Sequence, residues 1–334
     1  MDEVLKIVSD IQKGEIKPIY LLMGEESYFI DKISDFIEDT VLQESEKAFD
    51  QMVFYGQDIS VSEIIDYAKR YPMIGEKQVI IIKEAQDLIR TFENLTNYAE
   101  NPQPTTILVF CYKYKTVDKR KKVYKAIQKS GVVFESKKMY DNKVPEWIKA
   151  ILQQKSYKID TKAALMLVDF LGNDLSKISK ELEKLMVVVP VNSTISPKDI
   201  EDNIGISKDF NNFELRKAIG DKDILRVNRI INYFGQNQKA NPIVVTLSLL
   251  NSYFTQLLIY HSLKDKSSNA VARSLGVSPF FVKDYIDGAK NYPMRKISQI
   301  ISFLREADVK SKGVGANSVP ASDILKELMF KILH

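Results

Sequence analysis

The chain has 334 residues, of which 45% are hydrophobic and 28% are charged. This length exceeds one compact core and favours two or three domains, while the even mixture of apolar and charged residues excludes a natively disordered chain. The formal net charge of +4 permits contact with nucleic acid but is far from the strongly basic balance of a dedicated binder. A single cysteine, Cys111, excludes an intrachain disulfide, and with His261 and His334 it is too few for a zinc site, so we predict no metal.

The first residues carry carboxylates where a secretion signal needs cations, and no apolar run follows them. Apolar stretches such as 79–82 and 186–189 are far shorter than the ~20 residues that span a bilayer. We therefore expect a soluble, cytoplasmic protein without membrane contact.

Up to residue 140, apolar runs of strand length alternate with amphipathic runs of helix length, which predicts a parallel sheet flanked by helices. Helix ends are readable between these runs: Ser60 and Glu63 form a capping box, and Gly131 closes the run from Asp118. Because each predicted strand is short and apolar, we expect all of them to be buried. The predicted strands are residues 19–23, 52–55, 79–82, 106–111 and 132–134.

Strand patterns end after Tyr140, and the remainder of the chain is predicted to be helical. Residues 172–174 introduce a helix with one apolar stripe, which needs a partner surface. The predicted fold class is α/β followed by all-α, with domains at residues 1–140, 141–209 and 210–334. The apolar stripe of the helix that residues 172–174 introduce consists of Leu175, Ile178, Leu182 and Leu185.

The turn from strand to helix after Met23 has the position of a phosphate-binding loop but not its chemistry. Such a loop needs bracketing glycines, then a lysine for the terminal phosphates and a Ser or Thr for magnesium. Here Glu25 and Glu26 occupy the loop, and Asp31 stands where the magnesium hydroxyl would be. Lys83 stands where a later strand of an NTPase would carry its metal-binding aspartate. The sequence therefore predicts that no nucleotide cofactor binds.

Five segments spread along nearly the whole chain carry a family pattern: residues 18–30, 73–82, 117–125, 171–175 with 181–185, and 308–311. In order and spacing they resemble the delta family of bacterial sliding-clamp loaders. This resemblance implies an AAA+-like domain I with a five-stranded parallel sheet and a degenerate nucleotide site, a small helical lid domain II, and a helical collar domain III that packs with sister subunits.

The same resemblance implies which proteins this chain binds and which subunits of the assembly handle ATP. Neighbouring subunits of the gamma, tau and delta prime types would handle ATP, so this chain is expected not to be an enzyme by itself. It would bind the ring-shaped beta sliding clamp and help to open it, so that the ring can be placed around primed DNA.

The segment from Tyr71 to Gly75 is apolar where a turn before a buried strand is expected to be polar. One interpretation is that Met73 and Ile74 fold back and plug the core of the sheet domain. The resemblance favours another, because Tyr71, Met73 and Ile74 match the clamp-binding position of the family, where apolar side chains enter a pocket on the clamp. We predict these three residues as the clamp-binding site.

A cationic stripe lies on the helix predicted over residues 119–129, where Lys121, Lys125 and Lys129 follow one another at a four-residue spacing. Such a stripe is typical of a solvated helix face, and it also suits contact with a DNA backbone or a partner protein. Both interpretations stay open.

Residues 272–282 imitate a DNA-reading helix-turn-helix, with Gly276 at the turn and Pro279 opening the second helix. That helix would present Asp284 and Asp287 to phosphates, so a packed helical pair is favoured. Catalysis by a nucleophile is disfavoured, because neither histidine has an obvious Ser or Cys partner. The alternatives to a clamp-loader subunit are thus a helix-turn-helix DNA binder and an NTPase with an unrecognised site.

Overall fold

The structure is a computed structural model that describes residues 2–314 and 319–334. It forms two compact units, Met1–Met139 and Tyr140–His334. The predicted division of the second unit at residue 209 stays a prediction.

The first unit is a five-stranded parallel sheet with helices on its faces, in the strand order β2-β3-β4-β1-β5. This is the AAA+-like architecture that the resemblance implies. The strands are β1 Ile19–Gly24, β2 Gln51–Tyr55, β3 Gln78–Lys83, β4 Thr106–Lys113 and β5 Val132–Ser136. The helices are α1 Asp2–Gln12, α2 Ser27–Thr40, α3 Glu44–Asp50, α4 Val61–Ala68, α5 Thr96–Glu100 and α6 Lys122–Ser130, with 3-10 turns at Ala85–Leu88 and Phe92–Leu95.

All five predicted strands are confirmed, but the expectation that all are buried is wrong for two of them. The inner strands β1, β3 and β4 are almost wholly buried, as their continuous apolar runs require when helices cover both faces. Strands β2 and β5 are the edges of the sheet and are half-buried, since each has a neighbour on one side only.

Two predicted helix ends, the capping box of α4 and the end of α6 at Gly131, are confirmed. Ser60 Oγ accepts the N–H of Glu63 at 3.3 Å, and the Glu63 carboxylate accepts the N–H of Ser60 at 2.9 Å, which completes the capping box of α4. Gly131 ends α6, where a Cβ would lie only 2.2 Å from the carbonyl oxygen of Ile19.

The parallel register sorts the loops of this unit into two sets. Residues that follow the strands, such as those after Gly24 and Lys83, lie at the carboxyl edge of the sheet. Residues that precede the strands lie at the opposite, amino edge. Since β2 and β3 are neighbours, the segments that enter at Gln51 and Gln78 lie side by side at that edge.

The second unit is helical, and among its described residues the one exception to the all-α prediction is a two-residue parallel pair formed by β6 Lys158–Ile159 and β7 Thr194–Ile195. Its predicted apolar stripe is confirmed, because Leu175, Ile178, Leu182 and Leu185 are all buried. The helices are α7 Val144–Gln154, α8 Thr161–Leu171, α9 Leu175–Val188, α10 Pro197–Ile204, α11 Asn212–Gly220, α12 Ile224–Gln236, α13 Ile243–Ser262, α14 Ser268–Leu275, α15 Val282–Asn291, α16 Met294–Ser311 and α17 Ala321–Leu333.

Helix α13 corrects the expectation that the apolar segments of the chain are far too short to span a bilayer. By length and composition it is apolar enough to cross a membrane, because its 20 residues include no Asp, Glu, Lys or Arg although polar residues interrupt its apolar runs. Its buried side chains, among them Leu250, Phe254 and Leu257, belong to the core that also takes residues from α11, α12, α15, α16 and α17. In this unit it is a core helix.

Candidate partner-binding turn

The connection from α4 to β3 contains an apolar turn, residues 71–75, at the amino edge of the sheet. Its three candidate side chains point away from the first unit: Tyr71 is 75% exposed, Met73 76% and Ile74 59%. A core plug would be buried, so that interpretation of Met73 and Ile74 is wrong. Neighbouring large apolar residues exposed to this extent are typical of a binding surface.

The exit of the apolar turn is fixed by the carboxylate of Asp50, the last residue of α3. Its Oδ1 accepts the N–H of Met73, and its Oδ2 accepts the N–H groups of Ile74 and Gly75 at 3.0 and 2.7 Å. Asp50 itself is only 1% exposed. Burial alone would raise the pKa of this carboxyl, but the three N–H donors lower it below its ordinary value.

The entry of the turn is fixed by the amide of Gln78, the first residue of β3. Its Nε2 donates to the carbonyl oxygen of Arg70 at 2.6 Å and to Thr106 Oγ1 at 2.8 Å. Thr106 in turn donates to the carbonyl oxygen of Ala68 at the end of α4. Side chains of α3 and β3 therefore hold the backbone at the entry and the exit of the turn that carries three outward-pointing apolar residues.

The loop after β1, residues 24–26, has its backbone donors already occupied. The N–H of Gly24 donates to the carbonyl oxygen of Lys115 at 3.0 Å, and the N–H groups of Glu25 and Glu26 donate to that of Ser136 at 2.9 and 3.5 Å. A phosphate cradle needs these groups free to bind the ligand. Gly24 is required for this packing, because its φ is +131° and a Cβ would lie 2.0 Å from the Ser136 carbonyl oxygen.

A carboxylate also occupies the helix end that would bind phosphate. Glu26, 8% exposed, accepts the N–H of Tyr28 at 3.1 Å as the N-cap of α2. Anions are stabilised at a helix N-terminus by the aligned N–H groups, and here the chain supplies the anion.

The charges around this loop are reversed relative to an NTPase site. Lys113 at the end of β4 pairs with Asp31 at 2.8 Å and with Glu84 at 3.3 Å. Lys83 at the end of β3 pairs with Glu38 at 3.1 Å; burial alone would lower the pKa of its ammonium, but Glu38 raises it above its ordinary value. Within residues 2–314 and 319–334, no group of His, Cys, Asp and Glu has the arrangement that could hold a metal.

Two family profiles match this chain. The family profile of the DNA polymerase III delta subunit matches residues 20–137, and the profile of the delta subunit's C-terminal domain matches residues 209–325. The chain belongs to the delta-subunit family of DNA polymerase III.

A sequence and a solved structure, both from Bacillus subtilis, are similar to this delta-family chain over nearly its whole length. DNA polymerase III subunit delta of strain 168 is 26% identical over 321 residues, which are 92% of each chain. The solved structure of the DNA clamp loader delta protein is 24% identical with a TM-score of 0.60 and covers 99% of both chains, which shows a shared fold.

The cationic helix of this delta-family chain is shorter than predicted. It begins at Lys122, because Asp118 accepts the N–H of Arg120 at 2.9 Å and turns the chain before the helix starts. Lys121 is therefore the N-cap and lies 3.6 Å from Glu93, whereas Lys125 and Lys129 are exposed on one face.

The segment that imitates a helix-turn-helix is a packed pair, as the favoured interpretation predicts. Gly276 caps α14 with a φ of +66°, and Pro279 opens a 3-10 turn that leads into α15. Phe281 and Tyr285, which lie in the 3-10 turn and the helix after Gly276, are buried in the core of the second unit.

Sequence reasoning located the apolar turn but missed the two residues that hold it. Asp50 and Gln78 carry no local motif, and Asp50 is 23–25 residues from its partners. The one signal would have been the strand order, which brings the entrances of β2 and β3 together.

Proposed function

We propose that this chain is the subunit of a bacterial clamp loader that binds the beta sliding clamp through Tyr71, Met73 and Ile74 and helps to open the ring. In this role it acts with subunits of the gamma, tau and delta prime types in the cytoplasm, brings the clamp to primed DNA, and has no catalytic activity of its own. The second unit supplies a helical lid at residues 141–209 and a collar at residues 210–334 that joins it to the other subunits.

The observation that carries this proposal is the exposure of three apolar side chains on one fixed turn. Anchor residues at interfaces are apolar or aromatic, enter a pocket on the partner, and account for most of the binding free energy. Membership of the delta family supports the choice of partner, as does the similarity to the Bacillus subtilis DNA clamp loader delta protein.

The anchor role is tested by the double substitution Met73→Ala/Ile74→Ala. Loss of two anchors costs roughly 2–4 kcal/mol of binding free energy, so we expect affinity for the cognate clamp to fall ~30-fold or more in surface plasmon resonance. The melting temperature should change little, because both side chains are already in water.

The matched control is Leu5→Ala/Ile89→Ala, which shortens two other exposed aliphatic side chains of the first unit. We expect this control to bind the clamp as the unmodified chain does. Full clamp affinity of the Met73→Ala/Ile74→Ala variant would contradict the anchor role.

We also propose that ATP is bound by the neighbouring subunits and not by this chain. The occupied N–H donors of residues 24–26 and the buried Glu26 carboxylate support this proposal. We expect isothermal titration calorimetry of the isolated chain to detect no binding of ATP or ADP with magnesium, with a gamma-type subunit as positive control. Micromolar, magnesium-dependent binding would contradict it and favour the alternative of an NTPase.

A further inference from the structure

The apolar turn has almost no backbone structure of its own. Within the described residues, residues 71–77 neither donate nor accept a hydrogen bond between backbone groups. Apolar side chains in water provide no force that would hold such a segment in one conformation, so a free segment of this kind would sample many.

Asp50 supplies the missing constraint from outside the turn. Three successive N–H groups, those of Met73, Ile74 and Gly75, converge on its two carboxylate oxygens. Hydrogen bonds to an ionised acceptor are stronger than neutral ones, and three of them fix the orientation of three successive peptide units.

The cost of burying Asp50 also indicates a specific role. A buried carboxylate is unfavourable unless hydrogen bonds replace its water, and here the replacement comes from the turn. The carboxylate and the turn therefore stabilise each other: the ordered turn solvates Asp50, and Asp50 orders the turn.

We infer that Asp50 is a positioning residue, which holds the apolar turn in its binding conformation before the partner arrives. The inference rests on the proposed function, because it assigns how the same turn is made ready for the clamp. A segment that is already ordered loses less conformational entropy on binding, and its affinity is higher for that reason.

The test uses two variants of the full chain, Asp50→Asn and Asp50→Ala. The first keeps the size of the side chain but replaces one acceptor oxygen by a donor. By NMR we expect the amide hydrogens of Met73, Ile74 and Gly75 to exchange about 10-fold faster in Asp50→Asn, and clamp affinity to fall about 10-fold. Asp31→Asn is the matched control, since Asp31 pairs with Lys113 at the opposite edge of the sheet. It should leave both measurements unchanged.

A double-mutant cycle separates positioning from general destabilisation. If Asp50 acts through the apolar turn, Asp50→Asn should add little to the affinity loss of Met73→Ala/Ile74→Ala, whereas an unrelated effect would add in full. The inference would be overturned if amide exchange in Asp50→Asn were unchanged, or if exchange were faster while Asp50→Asn kept full clamp affinity. Either result would leave the proposed function standing. Faster exchange combined with full affinity of the Met73→Ala/Ile74→Ala variant would overturn the proposed function itself.

Discussion

Two loops at opposite edges of the same sheet use backbone N–H groups and acidic side chains in opposite ways. At the amino edge, the carboxylate of Asp50 collects the N–H groups of the apolar turn, which leaves the apolar side chains facing solvent. At the carboxyl edge, the Ser136 carbonyl and the Glu26 carboxylate take the donors that a phosphate would use. The loop at the position of a phosphate cradle and the turn with the exposed apolar side chains thus lie at opposite edges of the sheet.

The largest expected effect is a difference in stability between the alanine variants of Gly24 and Gly75, the glycines of the two loops. Gly24→Ala should lower the stability of the first unit by about 3 kcal/mol, because the new Cβ meets rigid backbone and a φ of +131° is strained for alanine. Gly75→Ala should cost less than about 1 kcal/mol, since its Cβ is crowded by the carboxylate of Glu46, which lies at the end of a flexible side chain, and lies at an ordinary contact distance of 3.5 Å from Asp50 Oδ2. Thermal melting of both variants measures the difference, and equal losses would contradict it.

A smaller effect is the pH dependence of the apolar turn. The pKa of Asp50 is lower in the folded chain than its ordinary value of 3.8. The stabilisation by its ionised form is therefore complete above that value and is lost as the pH falls through the lower, folded pKa. NMR titration of the Ile74 amide should show a midpoint below 3.8, with Glu46 as the nearby carboxylate to be monitored alongside. A midpoint above the ordinary value would mean that the three N–H donors do not offset burial.

The smallest expected effect concerns the cationic helix, which belongs to neither loop. Charge reversal of Lys121, Lys125 and Lys129 to Glu should weaken the salt-sensitive association of the assembled loader with DNA and leave clamp binding unchanged. Each phosphate contact that is lost should lower the salt slope by about 1, and Lys121 should contribute least because it pairs with Glu93. An unchanged salt slope would identify the stripe as an ordinary solvated face.

Sequence patterns predicted the sheet well because its inner strands are continuous apolar runs. The errors lie where tertiary structure overrides the local pattern: the half-buried edges β2 and β5, the late start of α6 at Lys122, and the pair of β6 with β7. The candidate site was only partly predictable. An apolar turn is visible in the sequence, but its exposure and its support by Asp50 and Gln78 depend on which strands are neighbours.

The hydrogen bonds of the 24–26 loop also limit how this protein could change over evolutionary time. A lysine at the end of the loop and a hydroxyl for magnesium are each one substitution away in principle, but the N–H groups of Glu25 and Glu26 bond to the backbone carbonyl of Ser136, which a change of side chain does not remove. That release requires the end of β5 to withdraw from its neighbour Gly24. Acquisition of a nucleotide site would therefore have to begin with a rearrangement of the backbone, during which the sheet loses an edge contact before any ligand can stabilise it.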